Sequence, residues 1–236
     1  MDIEQVAAYL SHGRVIDLTL KMNPGSTEGP SAKPSRRYEI RKFEFQPWRV
    51  WSGPGETMHY IEMESHVATH VEAPSHYIPA RHGKTALDLS ELPLATFFGS
   101  AVLIDCTELG PQTPIGAEIL QKFPIRKGDI VLIGKGQYIG PDGDDRSFLV
   151  KEGAEYLLSK KIKLVAFDDT IIPENTQIMR DLSTMFTHEI MLSHNIPIIE
   201  RLANLEELTQ TRFLFFAFPP KMGEIDSFPI RAVAIE

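Results

Sequence analysis

The 236-residue chain sets 32 acidic against 24 basic residues, a formal charge of −8 with a pI near 5.5, so a phosphate backbone would be repelled and nucleic acid is not an expected partner. Hydrophobic residues at 42% and charged residues at 24% supply a sizeable core and argue against disorder, and the length fits one α/β domain over residues 1–236. Cys106 is the only cysteine, which excludes an intrachain disulfide and a cysteine-rich zinc knuckle, so any metal must be held by His and carboxylates.

Taken in chain order, Met1 to Gly13 lacks the basic start and continuous apolar stretch of a signal peptide. No segment approaches 18 apolar residues, so a cytoplasmic chain without membrane association is expected. Arg14 to Leu20 alternates around Val15, Ile16 and Leu18 as a first strand. A Pro/Gly/Ser-rich loop follows from Asn23 to Ser35, long enough to cover a site or reach a neighbouring subunit. Tyr38 to Phe45, Pro47 to Trp51 and Met58 to Ser65 are strand-like through β-branched and aromatic residues.

Beyond Pro79 the pattern becomes α/β. Apolar runs at 101–105, 129–133 and 162–167 read as buried strands, separated by helical stretches such as Val150 to Lys161. In that helix Ala154, Leu157 and Leu158 share a face, and Lys160 and Lys161 are expected in the last turn. His188 to His194 reads as helix, Ile196 to Ile199 as a short strand, and Arg212 to Phe218 and Ile230 to Ile235 as the last strands. The fold class that follows is α/β, a mixed sheet with helices on its faces.

Four of the eight histidines, His66, His70, His76 and His82, fall within seventeen residues, where about 0.6 would be expected from their average density. His66, His70, Glu72 and His76 form H-x3-H-x-E-x3-H, a mixture of imidazoles and a hard carboxylate that suits Zn²⁺ or Mn²⁺. Two His and one Glu meet the three-ligand count of a catalytic site that leaves a position for water. Pro74 disfavours an α-helix through the segment, so the ligands should converge from a strand end or a tight loop. His12, His59 and His82 read as loop residues, and the pair Asp168-Asp169 as turn-capping or solvated carboxylates at a strand end. Trp48, Trp51, Phe97, Phe98 and the aromatics of 213–218 are expected mostly in the core, with lining of an apolar pocket as the alternative.

The segment His66-Val67-Ala68-Thr69-His70-Val71-Glu72-Ala73-Pro74-Ser75-His76 resembles the H-x-G-T-H-x-D-x-P-x-H signature of the cyclase-like metal-dependent hydrolases, which include bacterial kynurenine formamidase and, more distantly, isatin hydrolase. The resemblance extends to Val15–Thr19, Leu164–Asp169 and the tail Asp226–Val233. It implies a swivelling β/β/α fold forming homodimers or homotetramers, and hydrolysis of an amide, lactam, lactone or ester in a small-molecule substrate, arylformamidase-like. A lyase or cyclase and a non-catalytic metal-stabilised protein are the alternatives.

Carried over by position, His66, His70 and Glu72 would hold a first metal ion, Zn²⁺ by preference and Mn²⁺ otherwise. His188 and Glu200, twelve residues apart, would hold a second with Glu72 bridging, and His76 would be the acid/base. Without the resemblance, His188 reads as a surface-helix histidine and Glu200 as the start of a surface helix. Two positions depart from the signature. Glu72 replaces an Asp and is one methylene longer, which keeps a single-ion site open as well as a two-ion one. Ala68 replaces a Gly, which matters if that position needs φ > 0 or a close backbone approach.

Overall fold

The computed structural model describes residues 2–22, 43–48, 58–77, 86–137, 145–175 and 184–236. The Asn23–Ser35 loop, Trp51 and His82 lie outside them.

The three apolar runs form β5 (Phe98–Asp105), β7 (Ile130–Gly134) and β9 (Leu164–Asp168), which pair in parallel and continue in parallel to β11 (Ile198–Leu202). Their central residues are apolar at consecutive positions, so both faces there must be covered. Here Leu103, Leu132 and Ala166 enter one core, while Ile104, Val131, Ile133, Val165 and Phe167 enter the other. The helices α2 (Ala117–Leu120), α3 (Lys151–Ser159) and α4 (Phe186–Leu192) bring Leu120, Ala154, Leu157, Met191 and Leu192 to the second core alone. These helices flank the mixed sheet as expected, on one of its faces. The first core is closed by the sheet's own antiparallel strands, through Ile16, Phe213, Phe215 and Ala234.

Those strands complete a nine-stranded sheet. Beyond β11 lie β4 (His70–Glu72) and β13 (Ser227–Pro229), and beyond β5 lie β12 (Arg212–Phe216), β14 (Val233–Ile235) and β1 (Val15–Asp17). β13 and β14 stand seven places apart in this order, about 34 Å in a flat sheet. Only residues 230–232 connect them, a reach of roughly 14 Å. The sheet must therefore curl until its ends approach. Leu18 N–H donates to the Ala232 carbonyl, Ala203 N–H donates to Leu18, and Thr19 bridges to Leu202.

A parallel three-stranded sheet is formed by β6 (Pro114–Ile115), β8 (Ser147–Leu149) and β10 (Ile171–Ile172), and a hairpin by β2 (Phe43–Trp48) and β3 (Met58–Met63). Several element expectations need adjusting. His12 ends the helix α1 (Ile3–His12), and His59 lies in β3, so neither is a loop residue. α1 itself is unforeseen, although Asp2 and Gln5 form a capping box at its start. Lys160 and Lys161 lie past the last turn of α3, with Lys161 left-handed at φ 56° where the helix stops. Phe97, Phe213 and Phe215 are buried as core residues, whereas Phe98 and Phe218 are exposed. Among the described residues no helix is long and apolar enough to cross a membrane.

Candidate metal centre

Strand alternation places the first ligand candidates. Val71 of β4 points into the sheet-covered core, so His70 and Glu72 face the helix-covered side. Glu200 on β11 stands opposite His70 in the antiparallel register, and Ile199 beside it shares the core of Val71. Glu200 thus faces the same side, from a strand and not from the start of a helix. Ala73 and Pro74 then turn the chain through a short 3-10 segment, Pro74–His76, which brings His76 back. As the proline requires, no α-helix runs through the motif. His188, in the first turn of α4, is buried against this group and not set on a solvated face.

All six residues meet around Glu72. Its Oε1 lies 2.9 Å from His66 Nδ1, 3.5 Å from His70 Nε2 and 3.8 Å from His76 Nε2, and its Oε2 lies 3.2 Å from His188 Nε2. Glu200 stands 3.9 Å from both His70 Nε2 and His188 Nε2. Among the described residues, the donor atoms that approach one another within 4.8 Å form two sets, His66–Glu72–His76 and His70–Glu72–Glu200, which share Glu72. One set draws in His76, and His66 and His70 fall in different sets, a partition that differs from the one implied by position in the motif.

The far nitrogen of each imidazole meets an acceptor, shared in one case. His66 Nε2 and His76 Nδ1 lie 3.2 and 2.9 Å from the same oxygen, Oδ2 of Asp226. His70 Nδ1 lies 2.8 Å from the Ala68 carbonyl and His188 Nδ1 3.0 Å from Glu174 Oε1. Such partners fix the tautomer of a metal-ligating histidine and turn its other nitrogen inward.

Two buried atoms at the centre, His70 Nε2 and Glu72 Oε2, have no hydrogen bond. His188 Nε2 stands 3.2 Å from Oε2 as an ion-pair contact and not as a hydrogen bond. Buried polar atoms are rarely left so without a role. The electrostatics agree. Burial alone would keep His188 neutral, but Glu174 and Glu72 draw its pKa up to about 10. Burial likewise opposes charge on His66, which Glu72 and Asp226 overcome. Glu72, despite burial, is held well below the usual carboxylate range by His188, His66 and His70. A site that draws in protons to balance its carboxylates is suited to a divalent cation, and the N/O donor set fits one.

Local backbone strain surrounds the site. Ala68 has φ 52° and Arg201 φ 63°, each one or two residues from a ligand candidate. The Arg201 conformation accompanies a register irregularity between Ile199 and Leu202. The Thr69 hydroxyl joins the two, donating to the Arg201 carbonyl at 2.6 Å while accepting from Leu20 N–H at 2.8 Å. Asp168 behaves as a turn cap, as expected, but buried, accepting from Lys135 N–H and from Thr170. Asp169 pairs with Arg201 beside Glu200.

Sequence reasoning assigned no role to Asp226 or Glu174. Asp226 opens the tail segment already noted for its resemblance, which was its one signal; Glu174, a single acid after a short apolar pair, carried none.

Three known proteins place this geometry in context. A kynurenine formamidase of Erythrobacter litoralis (strain HTCC2594) is 23% identical over 235 residues, 98% of each chain. Isatin hydrolase A from Labrenzia aggregata, solved bound to benzyl benzoate, matches with a TM-score of 0.80 at 22% identity over 98% of this chain and 97% of that one. A structure described as a potential metal-dependent hydrolase with cyclase activity matches with a TM-score of 0.66 at 23% identity over 94% and 97%. The two solved structures share the fold. The profile of the Cyclase family, described as "Putative cyclase", matches residues 16–172, which hold the whole His66–His76 segment and well over half of the chain, and the chain belongs to that family.

Proposed function

We propose that this protein is a metal-dependent hydrolase that cleaves an acyl C–N bond of a small molecule with water, in an arylformamidase-like reaction. The observation that carries the reading is the convergence of four imidazoles on one buried carboxylate, with an unbonded acceptor and an unbonded ring nitrogen at the centre. The formamidase and isatin hydrolase relatives support hydrolysis. Lactams, lactones and esters fall within the same chemistry.

His66, His70 and Glu72 would hold the first ion, Zn²⁺ by preference and Mn²⁺ as the alternative. His188, Glu200 and the second oxygen of Glu72 would hold another. When bound, a divalent ion supplies Lewis acidity toward the scissile carbonyl and lowers the pKa of a water to roughly 7. His76 performs the proton transfer. With Nδ1–H donated to Asp226, its Nε2 is the basic nitrogen and faces Glu72. Nε2 takes the proton from the attacking water and returns it to the leaving nitrogen as the C–N bond breaks, giving a carboxylic acid and an amine. Asp226 stabilises the intervening imidazolium. The chain acts as a single domain in the cytoplasm, as a homodimer or homotetramer, without nucleic-acid or membrane partners.

The test is metal analysis combined with turnover of an N-formyl arylamine in ¹⁸O-water. His66→Ala should lose metal and activity together. His76→Gln should keep metal and lose about 10²- to 10⁴-fold in kcat. Label should enter the released carboxylate. Protein lacking stoichiometric Zn or Mn, or His66→Ala with unchanged metal, defeats the proposal; product formed without label assigns the protein to the lyase or cyclase class.

A further inference from the structure

The segment directly after β10 carries a buried acid that the proposed mechanism leaves unused. Glu174 is 4% exposed, and one of its oxygens, Oε1, serves His188 twice: it accepts from the main-chain N–H at 2.9 Å and lies 3.0 Å from the ring Nδ1. The main-chain donor is available because the first N–H groups of a helix have no partner within it, and the N-cap residue Met185 offers no side-chain bond. Next door, the Thr187 hydroxyl donates to the Pro173 carbonyl at 2.6 Å. The first turn of α4 is therefore fastened twice to residues 173–174, which follow directly from β10 and its ladder with β8. A bond at the main chain and another at the ring tip fix both the position and the rotation of the imidazole. Nε2 is left facing Glu72 Oε2 and Glu200 Oε1.

We propose that Glu174 is the positioning residue for the second metal position, fixing His188 as the Nδ1–H tautomer and thereby determining whether the chain holds one ion or two. The inference rests on the reading of His188 as a ligand. His66, His70 and His76 take their outer contacts from Asp226 and the Ala68 carbonyl, so Glu174 acts on one half of the site only. An outer carboxylate of this kind both orients the ring and raises its basicity as a ligand.

The experiment is a titration of the full-length, demetallated protein with Mn²⁺, following free Mn²⁺ by electron paramagnetic resonance, for wild type, Glu174→Ala and Glu174→Gln. Thermal unfolding establishes that each variant is folded. Wild type should bind two ions. Glu174→Ala should bind the first as wild type does and the second about 10- to 100-fold more weakly. Glu174→Gln, which keeps an acceptor oxygen, should recover part of that loss. If Glu174→Ala is folded and binds both ions with wild-type affinity, or weakens both equally, the proposal is overturned. It is also overturned if wild type and both variants hold the same single ion. Should no acyl substrate be hydrolysed, the proposed activity fails while the titration still decides the role of Glu174.

Discussion

Ala68 occupies a conformation that costs an L-residue with a β-carbon about 1–2 kcal/mol, two residues ahead of a buried ligand candidate. Its carbonyl also receives His70 Nδ1, so the strained peptide fixes the inward aim of that ring. The sequence raised the question of positive φ here, and the structure answers it: the conformation is retained even with alanine. Ala68→Gly should relieve the strain at the expense of extra freedom in the unfolded chain, for a net gain of about 0.5 kcal/mol. The urea midpoint of the metal-loaded protein should rise slightly at unchanged slope, and a fall would show that the methyl group contributes packing that outweighs the strain. At this scale the legibility of the site followed sequence distance. His66 to His76 could be read because eleven residues hold them together, and Glu200 only through a family spacing. Asp226 bonds His76 from 150 positions away, a contact that no local pattern encodes.

The elements that carry the ligands are held in register by Thr69 as well as by their own short ladders. β4 spans three residues, yet the Thr69 hydroxyl ties it both to Leu20, beyond β1, and to the irregular turn of β11 at Arg201. Thr69→Val keeps the shape but leaves Leu20 N–H and the Arg201 carbonyl without this partner, a loss of about 2–3 kcal/mol. Chemical denaturation should show it, together with weaker metal retention on dialysis; full retention of both would mean that the backbone holds its register unaided. The strands themselves were legible where chemistry is repetitive. The runs at 101–105, 129–133 and 162–167 read as buried strands, and Pro74 correctly excluded an α-helix. β1 fell short of its predicted length because beyond Asp17 the chain leaves the ladder for the single bridge at Thr19. Strand order could not be read, since β4, β11 and β13 meet by pairing across more than a hundred residues.

Over the whole molecule the site is a concentration of carboxylates set against the core, with Glu72 and Glu174 buried and Glu200 and Asp226 partly exposed around four imidazoles. Metal removal should therefore change how stability depends on pH. His188 has a folded pKa of about 10, above its ordinary 6.5. The stability it contributes to the metal-free protein is full below about pH 6.5 and is lost as pH rises toward 10. His66 shifts in the same direction. After chelation, Tm should fall from pH 7 to pH 10, whereas Zn²⁺ or Mn²⁺ at a hundred times its Kd should add about 2.7 kcal/mol and flatten the profile. Equal Tm values with and without chelator across that range would mean that no cation belongs in the cluster.

The curled sheet also orders events in time. Residues 230–232 close the sheet between its two ends, and Asp226, just before them, completes the surroundings of His66 and His76. Contacts that span most of the chain form slowly, because loop closure must precede any gain from pairing. During synthesis the motif at 66–76 emerges long before its last partners and has neither the neighbouring strands nor the acid that orients it. A cation held by this cluster would thus be acquired late, by a nearly finished fold, and its hold would be expressed chiefly in how slowly the native protein opens.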